Sequence, residues 1–216
     1  MPDTPLDRTA QTDLAFLRSI VEGRGRPPIT LAICYLAGGV LYGLQCLFHI
    51  GQMLGWVNWP GLASLIFVIA ITVSFLAILV WAIRRDRREE ATSGRGTLAS
   101  RAMSAGLSGA GMANAAMVVI FAVGAMRDHD FAQWLYYPAV AFGLQSAAWY
   151  AAWNLRRKRW MLVTCIGHWI TAAMLGLTVR EPAIYLGICT FALFALFGYP
   201  GWIMYREARA PQPEER

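Results

Sequence analysis

The sequence predicts an all-α, polytopic membrane protein, a bundle of about six transmembrane helices preceded by a short amphipathic helix. Three observations carry that expectation. Of the 216 residues 57% are hydrophobic and only 15% are charged, with a mean hydropathy of +0.43, a balance foreign to a water-soluble domain. The apolar residues fall into separate runs of about twenty, the length that crosses roughly 30 Å of hydrocarbon at 1.5 Å per residue. The basic residues collect in alternate loops, as the orientation rule for membrane helices requires.

Residues 1–28 are read as a cytoplasmic segment containing the amphipathic helix at 12–22. Leu14, Phe16, Leu17, Ile20 and Val21 share one side of it, Gln11, Thr12, Arg18, Ser19 and Glu22 the other, and Gly23 stops it. Flanked by Arg18, Arg24 and Arg26, this helix reads as an anchor on the inner leaflet, with docking of a partner as the alternative. Pro27 and Pro28 then break the chain. The transmembrane domain, 29–205, holds spans at about 29–50, 62–83, 103–126, 131–154, 160–179 and 182–205, followed by a cytoplasmic tail at 206–216. No basic stretch leads a short apolar run at the N-terminus, so the first span is expected to persist in the mature chain.

Arg84, Arg85, Arg87, Arg88, Arg95 and Arg101 lie between spans two and three, Arg156 to Arg159 between spans four and five, and Arg206 and Arg209 after span six. The opposite loops hold Arg127 and Arg180. Both termini are therefore expected to be cytoplasmic, in the inner (plasma) membrane. Lys158 is the single lysine among 19 basic residues, a bias that suggests a GC-rich bacterial source. The net charge of +6 sits at span ends rather than on one face, so no nucleic-acid partner is expected. The loop at 84–101 contains Ser93–Gly94–Arg95–Gly96–Thr97, which lacks the ending of a phosphate-binding loop and reads as a linker.

Inside the spans no Asp, Glu, Lys or Arg occupies a central position, which disfavours an ion-coupled pump. What remains is neutral and polar. Candidate ligand-binding residues are Gln45, His49, Asn114, Gln145, Trp149 and His168. Cys34, Gly38, Tyr42, Gln45, His49 and Gln52 recur at three- and four-residue steps and so share a face of span one, which serves either as interhelical hydrogen bonding or as the wall of a polar cavity. His49 and His168 differ in depth by roughly 17 Å at 1.5 Å per residue, too much for two ligands of one haem iron. No metal site and no cofactor are expected, and the four cysteines form no CxxC pair. Gly43–Leu44–Gln45 recurs as Gly143–Leu144–Gln145, an echo that chance explains.

Helix-packing candidates are Gly39 and Gly43 in span one and Ala105, Gly109 and Ala113 in span three, small residues four apart that let backbones approach. Gly198, Pro200 and Gly201 are expected to kink or end span six. Enzymatic signatures are absent, so catalytic residues are not assigned. The leading expectation is binding or transport of a neutral or amphipathic small molecule. The alternative is a non-catalytic accessory or regulatory subunit, joined to a membrane-protein partner or to copies of itself, and a membrane enzyme acting on a lipid-like substrate comes third.

Overall fold

The computed structural model describes residues 29–93 and 98–210. The amphipathic helix expected at 12–22, Arg18, Arg24, Arg26, residues 94–97 and residues 211–216 lie outside them. Every regular element among the described residues is helical. Six long helices follow one another: α1 (Ile29–Met53), α2 (Gly61–Ser93), α3 (Leu98–Arg127), α4 (Phe131–Arg156), α5 (Arg159–Leu177) and α6 (Pro182–Arg209).

Five of them are long and apolar enough to cross a membrane, and the chain is a polytopic α-helical membrane protein. The exception is α4. Its 26 residues reach about 39 Å, ample for a span, but Gln133, Gln145, three tryptophans and three tyrosines lower its hydropathy. Its neighbours place it: turns at 128–130 and 157–158 join it to α3 and α5, and it packs along both. If α3 and α5 cross, α4 must return between them.

The bundle is organised around α1, which packs against α2 on one side and along α6 on another, while α3, α4 and α5 form an antiparallel series that meets α6 through α5 and through side chains of α4. Two buried clusters fill it. One, including Tyr35, Met103, Trp149, Met161 and Met204, lies at the end where α1 begins. The other, including Phe142, Leu175, Tyr185 and Cys189, lies toward the opposite end. Thr30 Oγ1 donates to the Ala82 carbonyl at 3.1 Å, setting the start of α1 beside α2 just before Arg84. The basic residues at 84–88, 156–159, 206 and 209 therefore flank one end of the bundle.

Glycines decide how α1 and α6 meet. A Cβ added at Gly39 would fall 2.3 Å from the Gly198 nitrogen and 2.7 Å from the Leu193 carbonyl, and one at Gly201 would fall 2.4 Å from the Leu36 nitrogen. The two backbones touch. Gly43 continues the seam against the Phe194 ring, 2.8 Å from the same hypothetical atom.

Two expectations change. Span six does not end at Gly198 and Pro200: a π-helical stretch, Leu193–Gly198, carries it into a final α-helical stretch, Tyr199–Arg209. The wider turn accommodates Pro200, which has no N–H to give the preceding turn, near the start of that second stretch. The loop expected from Arg84 is helical as far as Ser93, because α2 runs 33 residues, about 50 Å, and overshoots the hydrocarbon. Arg, Glu and Ala are good helix formers and need no lipid to stay helical.

Candidate functional site

The polar stripe of α1 faces α2. Gly38 leaves room for the Phe75 ring, Tyr42 lies 5.4 Å from the same ring between centroids, and Gln52 Nε2 donates to Ser64 Oγ at 2.6 Å. His49 Nδ1 lies 3.1 Å from Gln52 Oε1, an acceptor, so that nitrogen carries the proton. Of these contacts the Gln52–Ser64 bond joins two helices, whereas His49 and Gln52 bond within α1.

Gln145, Trp149 and His168 enter a second, fully packed cluster. The Tyr35 hydroxyl donates to Gln145 Oε1, and the Tyr35 ring meets Trp149 edge-on at 5.3 Å and stacks on Phe197 at 5.2 Å. Phe197, in the π-helical stretch, lies 5.0 Å from the His168 ring, and Phe142 covers another side at 5.5 Å. His168 is fully buried. Its Nδ1 lies 2.8 Å from the Thr164 carbonyl and must donate, which leaves Nε2 with a free lone pair and no partner among the described residues. Thr164 and Thr171, on the same face, are buried with it.

Asn114 belongs to a third place. Its Nδ2 donates to the Tyr137 hydroxyl at 2.9 Å, its Oδ1 is buried without a partner, and Tyr137 stacks on Trp134 at 5.2 Å. Trp134 in turn lines an open pocket of about 450 Å³ with Ala122, Ala125, Met126 and His129, at the end of the bundle away from the basic clusters. Ala125 lies eleven residues beyond Asn114, about three helical turns on the same face of α3.

The adjoining turn is held by charge. Arg127 Nε and Nη2 donate to the two oxygens of Asp128 at 2.7 and 3.0 Å, and Gln133 Nε2 adds a bond of 3.0 Å. Arg127, then Gln133, hold the Asp128 carboxyl down at about 2 against an ordinary 3.8. A depressed carboxylate pKa contributes above the ordinary value and loses that contribution as pH falls through the shifted one. The turn is therefore expected to keep its ion pair at pH 4 and release it between about pH 3.8 and 2. A carboxyl titration followed by NMR checks this, and a midpoint near 3.8 would refute the pairing.

The six candidate residues thus do not all come together. Gln145, Trp149 and His168 come together, His49 sits near the far end of α1, and Asn114 lines the α3–α4 face. Gln45 Oε1 is buried and unpartnered apart from them. The Gly–Leu–Gln echo has unequal environments: Gly43 meets Phe194 whereas nothing lies within 4 Å of a Cβ at Gly143, and only Gln145 has a partner. Sequence reasoning missed Tyr35, Tyr137 and Phe197, the aromatic links between helices. Their apolar rings look like packing residues until a neighbour supplies the hydroxyl partner or the stack. It also missed that Cys46 of α1 packs into the cluster holding Cys189 of α6, both free thiols.

Comparison with protein-family models, with curated proteins and with solved structures found no match.

Proposed function

We propose that this chain is a non-catalytic subunit of a membrane complex that docks a partner transmembrane helix on α3. The contrasting fates of its small residues support the reading. Gly39 and Gly43 are consumed inside the bundle, whereas Ala105 and Gly109 are exposed, and a Cβ at Gly106 or Gly109 would meet nothing within 4 Å among the described residues. Ala113 is half-buried on the same helix. Such a strip of small side chains lets a second helix backbone come close, an advantage wasted on acyl chains. The packed surroundings of His168 and Gln145 favour docking over an internal transport path.

Gly109→Leu fills that strip and is expected to weaken association on the order of ten-fold, about 1.4 kcal/mol. Native mass spectrometry of gently extracted protein, with cross-linking from Cys placed at the exposed neighbour Met112, reads the change. A wild-type chain recovered alone, with no cross-link, would sink the proposal.

A second reading, binding of a neutral or amphipathic small molecule, draws on the 450 Å³ pocket, whose Trp134 wall stacks on Tyr137. Under this reading a small ligand co-purifies with the wild type and is lost in Trp134→Ala. Retention by that variant would remove the pocket from consideration.

The proposed setting is a bacterial inner membrane with both termini cytoplasmic, because the described basic clusters flank one end of the bundle. Cysteine labelling tests it. Labelling of the 156–159 turn from outside the cell would reverse the orientation.

A further inference from the structure

We propose that the rim joining the α4–α5 turn to the end of α6 binds the headgroup phosphate of an anionic phospholipid. In the sequence Arg156, Arg157, Lys158 and Arg159 are separated by almost fifty residues from Arg206 and Arg209. Folding merges them. Lys158 Nζ donates to Glu207 Oε2 at 2.6 Å, which clamps the turn against the last part of α6 and spends the one carboxylate these two segments carry. Glu207 is also within electrostatic range of Arg156. Among the described residues of these two segments, six cations then share one rim with a single acid.

Their side chains are placed for a headgroup. The Arg157 guanidinium lies 4.9 Å over the Trp153 ring and that of Arg209 lies 4.7 Å over Tyr205, at the depth where interfacial aromatics meet phosphates. Arg159 and Arg206 are exposed. Arg156 Nη2 and Trp160 Nε1, at the facing ends of α4 and α5, are buried donors without an acceptor among the described residues. A set of donors and positive charges short of acceptors calls for an oxyanion, and the planar guanidinium fits two phosphate oxygens at once. The opposite rim lacks this imbalance: Arg127 is paired with Asp128, and Asp130 and Glu181 accompany Arg180 there. The inference is independent of helix docking and of the α3–α4 pocket.

The test uses the full chain in mild detergent, offered phosphatidylglycerol, phosphatidylcholine or inorganic phosphate. Native mass spectrometry counts retained lipid and a thermal melt reads stabilisation. Phosphatidylglycerol is expected to be retained preferentially and to raise the melting temperature, with binding weakened about five-fold for each cation removed in Arg156→Gln and Arg206→Gln. Arg180→Gln, on the other rim, is expected to retain lipid as the wild type does. Where Arg156→Gln fails to fold, the exposed pair Arg159→Gln and Arg206→Gln carries the test. Equal retention of the two lipids, or unchanged retention in the rim variants, overturns the proposal. An equal melting shift from inorganic phosphate alone overturns it in favour of a soluble anion.

Discussion

Gly39→Ala is expected to destabilise the protein by about 3 kcal/mol or more, a severe effect for one added methyl group. The new carbon would lie 2.3 Å from the Gly198 nitrogen and 2.7 Å from the Gly198 Cα. These are backbone atoms. No side-chain rotation relieves the overlap, so α1 and α6 must separate along a seam that Gly43 and Gly201 extend. The matched control is Gly109→Ala, where the new carbon meets nothing within 4 Å and the gain in helix propensity is up to about 1 kcal/mol. Thermal unfolding in mild detergent, followed by circular dichroism, compares the two. Equal melting temperatures would show that α1 and α6 do not cross at Gly39.

Trp149→Ala is the second large effect, expected at about 3 kcal/mol, toward the low end for removal of a buried aromatic. Trp149 is fully buried, edge-on to Tyr35 at 5.3 Å and 5.4 Å from Trp160, so its loss opens a void shared by α1, α4 and α5. The low end applies because lipid is as apolar as the core, leaving lost packing rather than transfer from water as the main cost. Trp202→Ala, at a side chain 48% exposed, should stay within about 0.5 kcal/mol of wild type. Chemical unfolding in detergent distinguishes the pair. A Trp149 variant as stable as the Trp202 variant would mean that α4 does not pack on α1 through that ring.

The reasons for success and failure differ along the chain. Three helix starts were legible because an apolar run is a local property: α1 begins at Ile29, α4 at Phe131 and α6 at Pro182. The extension of α2 to Ser93 was not, because hydropathy marks where lipid ends and not where a helix ends. The polar candidates show the same division. That Gln145 and His168 avoid lipid follows from their chemistry, but that Gln145 accepts from Tyr35 while Gln45 Oε1 has no partner depends on which helices face each.

By itself the sequence determined the polytopic helical class and the clustering of positive charge at the ends of apolar runs, consequences of residues near one another in the chain. Only the tertiary structure decided that Gly39 is spent on α6 while Gly109 stays open, and that the cations of residues 156–159 join Arg206 and Arg209 around one carboxylate. Spacing of small residues or of charges sets what a helix face offers. Which faces meet depends on the rotation and order of the helices, and that is fixed by packing among residues far apart in sequence.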